Sequence, residues 1–266
     1  MQGQLGYAVA KEGPLMQSDP DPAPRSGDVV KRHGLVTRVW HWLNAVVVTI
    51  MLMSGLMIFN AHPRLYWGHY GANADPAWLD LEHLNRGIPF PGWITIPSDY
   101  SLADARLWHL ACAWLLTAAL IGYLVWALLS GRLWRELAPR PAELAPRRVW
   151  HDIRQHARLR FPTGAAALRY NVLQKLAYSA VLLVLLPGIV LTGLGMSPGI
   201  DAAWPWLVDL LGGRQSARSL HFLFAFALVG FFLVHIAMVV LAGPLNELRA
   251  IITGWYRLPP EREDQT

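Results

Sequence analysis

The chain has 266 residues, of which 54% are hydrophobic and only 15% are charged, and its mean hydropathy is positive. A soluble domain of this length is normally less apolar, so the composition indicates that much of the chain lies in lipid. The net charge of +5 does not indicate nucleic acid as a partner, because the basic residues are concentrated beside apolar segments. The single cysteine, Cys112, excludes an intrachain disulfide and a two-thiol metal site.

Four apolar stretches organise the chain. Residues 1–30 precede them and contain prolines and charged side chains but no apolar run, so we expect a flexible tail rather than a signal peptide. Each stretch approaches the roughly 20 apolar residues that a helix needs to cross a bilayer, and lipid leaves unpaired backbone groups without partners. The sequence therefore predicts an all-α, up-and-down four-helix membrane bundle within residues 31–258, followed by a C-terminal tail at 259–266. The predicted spans are residues 39–59, 107–129, 172–196 and 220–241.

Two interruptions are visible along these stretches. Pro187 and Gly188 lie inside the third span, which predicts a kink there. Residues 60–106, between the first two spans, are rich in Pro, Gly, Trp and Tyr and are too polar to cross the membrane. Aromatic side chains in this connection can anchor a partner protein, cap a neighbouring site or lie at the lipid interface, and the sequence leaves these alternatives open.

The basic residues predict the orientation of the bundle. Lys and Arg number five before Trp40, nine in residues 130–171 and three after residue 242, against three and two in the other two connections. By the positive-inside rule, both termini and the second connection are cytoplasmic. We therefore expect a multi-pass membrane protein with its N and C termini inside.

Four histidines lie inside the predicted spans or at their edges: His41, His109, His221 and His235. An ionisable residue within a span is costly and usually functional, although a lone intramembrane histidine is as often a packed or interfacial one. His221 and His235 are fourteen residues apart, so they share one helical face and are separated by about 21 Å along the axis. The antiparallel order of the spans then places His109 level with His221, and His41 level with His235.

Two pairs of imidazoles at two depths predict two separate metal centres. Bis-histidine coordination within a tetrapyrrole leaves no open position on iron, which favours electron transfer over substrate chemistry. The chain has no Cys-x-x-Cys-His stretch, so any haem would be held noncovalently. We interpret His41 with His235, and His109 with His221, as axial ligands of two haems.

Arginines precede three of these histidines at the same spacing. Arg38, Arg106 and Arg218 each lie three residues before a proposed ligand, where a guanidinium suits a haem propionate. The alternative is that they are ordinary arginines extending to the membrane interface. Gly55 and Gly122 fall on nearly the same helical faces as His41 and His109, where a missing side chain can let a flat cofactor approach or can serve helix packing.

These features resemble the cytochrome b subunits of respiratory formate dehydrogenases, nickel-iron hydrogenases and thiosulfate reductases, in the superfamily of bacterial cytochrome b561. The resemblance covers about residues 31 to 258. It depends on the Thr-Arg-Val-Trp-His-Trp stretch at residues 37–42, on the early His109 of the second span and on the His221 to His235 spacing. It implies two b-type haems with the same ligand pairs that the depths predict, and a location in the bacterial cytoplasmic (inner) membrane.

A further stretch, Tyr-Asn-Val-Leu-Gln-Lys at residues 170–175, is similar to Tyr-Asn-x-x-Gln-Lys in formate dehydrogenase cytochrome subunits. In those subunits, this neighbourhood lines a quinone pocket. The resemblance implies that Asn171 and Gln174 hydrogen-bond a quinone and that Lys175 donates a proton. The alternative is that polar residues mark a helix entrance and that Lys175 extends to the interface. The longer connection at 60–106 departs from the formate dehydrogenase subunit and leaves the partner's identity open.

The sequence thus predicts a dihaem cytochrome that exchanges electrons with an outer-face catalytic or iron-sulfur oxidoreductase subunit and with membrane quinone. As an electron-transfer subunit, it would not be the catalytic subunit itself. A rival in the same class is a free-standing cytochrome b561 that oxidises a small diffusible reductant. A rival from another class is a cofactor-free proton-coupled transporter, although the spans contain no acidic residue and no evident inverted repeat.

Overall fold

The computed structural model describes residues 25–158, 163–168 and 170–260, with the backbone alone for residues 156, 157, 165 and 166. Most of the predicted N-terminal tail, residues 1–24, and most of the C-terminal tail, residues 261–266, lie outside the described residues. In chain order the elements are β1 (Val29–Lys31), α1 (Leu35–Asn60), β2 (Arg64–Leu65), β3 (Leu79–Asp80), α2 (Leu102–Leu129), α3 (Pro146–Ala157), α4 (Val172–Ala180), α5 (Leu186–Gly195), α6 (Pro198–Ala203), α7 (Pro205–Leu210), α8 (Arg214–Ala242), α9 (Pro244–Thr253) and β4 (Trp255–Arg257).

Four helices are long and apolar enough to span a membrane, which confirms the predicted all-α membrane bundle. They are α1, α2, the continuous helix Val172–Gly195 that contains α4 and α5, and α8. Between 6% and 28% of the apolar window of each is buried within the protein, so most of their apolar surface faces outward. This distribution is expected where lipid, rather than water, surrounds the bundle.

The third span is irregular one turn before the predicted kink. A π-helical turn, Val181–Leu185, joins α4 to α5, and Pro187 lies in the first turn of α5. Proline has no backbone N–H and crowds the carbonyl one turn earlier, so the wider turn accommodates it without ending the helix.

Two clusters of buried side chains pack between the spanning helices. Between α1 and α2, the buried residues are Val47, Met51, Cys112 and Leu116. The second cluster brings α2 against the third span and α8, and its buried residues include Leu120, Tyr123, Leu182, Leu186, Ile189 and Leu228.

Both ends of the described chain, residues 25–31 and 255–260, lie on one side of the bundle. Strands β1 and β4 pair antiparallel, with Val30 opposite Tyr256. Strand β1 precedes α1, and β4 follows α9, so this side, here called the terminal face, receives both ends of the described chain. Strand β1 begins at Val29, within the segment that the sequence assigned to the N-terminal tail.

The opposite side, the loop face, carries the connection 60–106 and the short helices α6 and α7. This connection is fastened to the first turns of α8. The backbone N–H of Ser216 donates to the carbonyl of Gly68 (3.2 Å), and the N–H of Gly68 donates to the Ser216 hydroxyl (2.7 Å). The Trp78 indole N–H donates to the hydroxyl of Ser219 (2.9 Å), two residues before His221. The connection therefore covers the start of the helix that carries His221.

Candidate dihaem centre

The structure brings the four predicted histidines together in the two predicted pairs. The ring centroids of His41 and His235 are 6.2 Å apart, and those of His109 and His221 are 6.1 Å apart. His41 is near the start of α1 and His235 near the end of α8, so their pair lies toward the terminal face. His109 and His221 are near the starts of α2 and α8, so the second pair lies toward the loop face.

Both separations fit two imidazoles on one metal. Metal–imidazole bonds are about 2.0–2.1 Å long, and the ring centre lies about 1.1 Å beyond the nitrogen, so two rings that share a metal have centres about 6.2–6.4 Å apart. Within the described residues, no group of three or more His, Cys, Asp or Glu could hold a metal ion directly. A pair of imidazoles therefore suits a metal whose other four ligands come from a macrocycle, as in a haem.

The loop-face pair is held by hydroxyl and carbonyl groups that the sequence analysis did not assign. His109 Nδ1 lies 3.1 Å from both the Ser54 hydroxyl and the Met51 carbonyl oxygen, and His221 Nδ1 lies 3.1 Å from the Thr192 hydroxyl. A ring whose Nδ1–H is bonded in this way keeps its lone pair on Nε2, the atom available to a metal.

Basic side chains lie beside His33, close to His41 of the terminal-face pair. Burial, together with the positive charges of Arg32 and Arg132, lowers the pKa of His33 to about 4. Arg32 pairs with Glu247 at 3.1 Å and Arg132 with Glu136 at 2.7 Å, so part of this positive charge is already neutralised. The remaining guanidinium donors favour an anionic group, and a haem carries two carboxylates. His33 and Arg132 were not predicted as site residues. Among the described residues, several buried polar atoms here have no hydrogen-bond partner: His33 Nδ1, Thr37 Oγ1, Arg38 Nε, His41 Nδ1 and Arg132 Nε.

The three predicted propionate arginines differ in their surroundings. A guanidinium N–H of Arg38 donates to the carbonyl of Ile252 at the terminal face. Arg218, toward the loop face, donates to the carbonyl of His62. Arg106 is exposed. Because a guanidinium has five N–H donors, the observed bonds of Arg38 and Arg218 leave further donors for a carboxylate.

The two predicted glycines also differ. A Cβ added at Gly55 would lie 3.3 Å from Cε1 of His109, so the missing side chain lets this ring approach α1 closely. Gly193, which was not predicted, has the same relation to His221, at 3.4 Å. Gly122 is exposed, and an added Cβ would meet no described atom within 4 Å.

The three predicted quinone residues hold the entrance of α4. The Asn171 side chain accepts the N–H of Gln174 (2.9 Å), and the Gln174 side chain accepts the N–H of Asn171 (3.2 Å), which is a capping box. Lys175 is buried, and its ammonium contacts both carboxylate oxygens of Glu143 at 2.8 Å. These hydrogen bonds hold the pKa of Glu143 below its usual range.

A cleft lies beside this helix entrance, and a series of aromatic contacts runs from its wall to a terminal-face histidine. From the cleft, Tyr170 contacts Tyr178 edge to face at 5.4 Å, Tyr178 lies 6.5 Å from Phe231, and Phe231 stacks on His235 at 5.8 Å. Aromatic rings thus connect the cleft to a predicted haem ligand. The cleft has a volume of about 690 Å³, and its lining includes Glu143, Trp150, His151, Tyr170 and Asn171.

Comparisons with known proteins agree with these features. The family model described as prokaryotic cytochrome b561 matches residues 32–254. The putative protein-methionine-sulfoxide reductase subunit YedZ1 of Azospira oryzae is 33% identical over 229 residues, which cover 86% of this chain and 99% of that protein. A probable Ni/Fe-hydrogenase B-type cytochrome subunit of Azotobacter vinelandii is 23% identical over 272 residues, which cover 96% of this chain and 100% of that protein. The probable Ni/Fe-hydrogenase B-type cytochrome subunit of Cupriavidus necator is 21% identical over 231 residues, which cover 82% of this chain and 83% of that protein.

Proposed function

The chain belongs to the prokaryotic cytochrome b561 family, and we propose that it carries electrons across the membrane through two noncovalent haems b, one at each histidine pair. That it is a membrane cytochrome b and an electron carrier follows from the family. The two-haem arrangement is supported chiefly by the two imidazole pairs at different depths, with ring centroids 6.2 and 6.1 Å apart.

The four histidines and the nearby arginines would hold the cofactors, and the histidines would also exclude other chemistry at the iron. When bound, each haem supplies a one-electron redox couple. His41 and His235 hold one iron from opposite helices, and His109 and His221 hold the other. With two histidines on each iron, neither centre would offer a site for oxygen or substrate. Arg38, Arg218 and Arg106 remain the proposed propionate partners, joined at the terminal face by Arg132.

We place the terminal face in the bacterial cytoplasm, because the positive-inside rule assigns both tails and the connection 130–171 to that side. The loop face then meets the redox partner outside. The connection 60–106 is anchored on α8 immediately before His221, so a partner that docks there comes close to the loop-face pair.

Quinone is proposed to react at the cleft beside α4. Interconversion of a quinone and its quinol moves two electrons and two protons, which are released when quinol is oxidised and taken up when quinone is reduced, so the site needs a route for each. The aromatic contacts from Tyr170 to His235 support proximity to the terminal-face centre. The amide groups of Asn171 and Gln174 are assigned to the quinone carbonyl. The Lys175–Glu143 pair is proposed to exchange a proton with the bound quinone or quinol at the edge of the cleft.

The partner is proposed to be a catalytic or iron-sulfur subunit of an oxidoreductase. The names of both kinds of relative describe subunits of such enzymes, a protein-methionine-sulfoxide reductase and Ni/Fe-hydrogenases. The 33% identity to the reductase subunit favours a reductase partner, which would take electrons from the cytochrome. A hydrogenase partner would deliver them instead.

The first experiment is a reduced-minus-oxidised absorption spectrum of the purified protein. We expect a b-type α-band that loses part of its intensity in His221→Ala, while His69→Ala, a loop-face histidine outside both pairs, leaves it unchanged. Absence of an α-band would favour the proton-coupled transporter. Copurification then separates the remaining alternatives. A bound heterologous catalytic subunit supports the proposal, whereas a solitary cytochrome that oxidises a small reductant supports a free-standing cytochrome b561.

A further inference from the structure

Two buried hydroxyl side chains contact Nδ1 of the loop-face histidines in the same way. The Ser54 hydroxyl, on α1, is fully buried and donates to the carbonyl of Ile50 at 2.7 Å. The same oxygen lies 3.1 Å from Nδ1 of His109. Because its proton is already donated to the backbone, the Ser54 oxygen can accept from the Nδ1–H of His109, and it shares this N–H with the Met51 carbonyl oxygen, also at 3.1 Å.

The second hydroxyl repeats this arrangement on the third span. Thr192, on α5, is 1% exposed and donates to the carbonyl of Gly188 at 2.7 Å. Its oxygen lies 3.1 Å from Nδ1 of His221 and accepts that N–H by the same reasoning, together with the backbone carbonyl of Ile189.

A glycine follows each hydroxyl. A Cβ added at Gly55 or at Gly193 would lie 3.3 or 3.4 Å from Cε1 of the histidine that the preceding hydroxyl contacts. The hydroxyl fixes one ring nitrogen, and the glycine lets the ring lie against the helix backbone. Ser54–Gly55 and Thr192–Gly193 are therefore two equivalent cradles, one for each ring of the loop-face pair.

The terminal-face pair differs from the loop-face pair at His41. His41 Nδ1 is buried and, among the described residues, has no hydrogen-bond partner. The two centres therefore differ in how the protein treats Nδ1 of their ligands, although both have two histidines.

We propose that Ser54 and Thr192 are positioning residues that fix the ring orientation and raise the donor strength of both axial ligands of the loop-face haem. This inference rests on the proposed function. An imidazole whose Nδ1–H is hydrogen-bonded has more negative charge on its ring and is a stronger ligand. A stronger ligand stabilises ferric iron more than ferrous iron, so the two hydroxyls lower the midpoint potential of this haem selectively.

The test measures each haem separately in the purified full-length protein, by spectroelectrochemical titration of the α-band and by EPR of the ferric state. The bands are assigned with His221→Ala and His235→Ala. The test variants are Ser54→Ala and the nearly isosteric Thr192→Val, and Ser54→Thr and Thr192→Ser retain the hydroxyls. The matched control is Thr117→Val, because Thr117 donates to the carbonyl of Ala113 within α2 as Thr192 does within α5.

We expect Ser54→Ala and Thr192→Val each to shift the loop-face haem to a more positive potential and to change its EPR signal, which depends on the angle between the imidazole planes. The terminal-face haem, Thr117→Val and the two hydroxyl-retaining variants keep the wild-type values. Loss of the loop-face haem alone from either test variant also supports the assignment.

Equal shifts of both haems, no shift of either, or the same shift in Thr117→Val would overturn the positioning role. A wild-type protein with fewer than two haems would instead contradict the proposed function, so the two failures are distinguishable.

Discussion

Gly193 provides a direct test of how closely the loop-face histidines are packed. In Gly193→Val, the Cβ lies 3.4 Å from Cε1 of His221, at the short limit of normal contact between carbon atoms, and two further methyl groups must fit beside the ring. His221 is confined by the Thr192 hydrogen bond, so it cannot move away freely. Overpacking of this kind costs about 1–3 kcal/mol, which corresponds to about 5- to 150-fold weaker haem binding.

The matched control is Gly230→Val. Gly230 is on α8 about half a helical turn from the direction of His221, is exposed, and has no described atom within 4 Å of an added Cβ. Both variants replace a helical glycine by valine, so the change in helix propensity is the same.

The assay follows the haem retained per chain during serial dilution in detergent, from the α-band of the reduced protein. We expect Gly193→Val to lose the loop-face haem first, Gly193→Ala to lose it only slightly faster than wild type, and Gly230→Val to match wild type. Equal retention in Gly193→Val and Gly230→Val would refute the inference that the ring lies against the α5 backbone.

Three other perturbations test separate parts of the structure. Lys175→Met should slow electron exchange between quinol and the haems by at least about tenfold, because proton transfer by a positioned side chain usually contributes about 10²–10⁴. The haem spectrum should not change, and a normal rate would show that Lys175 is not part of the quinone site. The lowered pKa of Glu143 implies that its ion pair stabilises the protein fully above the ordinary carboxyl pKa and loses this effect as the pH falls through the lowered value. Thermal melts at several pH values should therefore show a smaller acid-induced loss of stability in Glu143→Gln, and an unchanged pH profile would contradict this. Gly213→Ala places a side chain at φ 103° and within 2.5 Å of the Gly68 backbone, so it should reduce the free energy of unfolding by at least about 1–2 kcal/mol and lower the melting temperature. The control Gly199→Ala, whose Cβ would be 3.9 Å from the nearest atom, should leave the melting temperature unchanged.

The spans and the two histidine pairs were predictable from sequence because each depends on a strong periodic constraint. Apolar length defines a span, and the fourteen-residue separation of His221 and His235, combined with alternating helix direction, fixes which histidines are level. The structure has helices at all four predicted positions and brings together His41 with His235 and His109 with His221.

Other features required the tertiary structure. Ser54 and Thr192 are single hydroxyl residues within apolar helices, and nothing in their local sequence indicates that another helix presents an imidazole to them. Arg132 and His33 are far apart in the chain and are brought together at the terminal face only by packing. The connection 60–106 likewise shows its attachment to α8 only in three dimensions, because its contacts join residues more than 140 positions apart.

The stretch 170–175 illustrates a pattern with two meanings. Asn-x-x-Gln is a helix N-terminal signal as well as a set of quinone-binding groups, and the structure contains the capping box. Its amides are therefore held in fixed positions beside the cleft, and their role toward quinone remains a prediction.

The most direct test of the pairing itself is the number of haems per chain in single and double histidine variants. Our account predicts two haems in the wild type and one in each single alanine variant. His41→Ala/His235→Ala, in which both changes remove ligands of the same iron, should also retain one. His41→Ala/His221→Ala, in which each change removes a ligand of a different iron, should retain none. Loss of both haems from the first double variant, or retention of one in the second, would contradict the assignment of ligands.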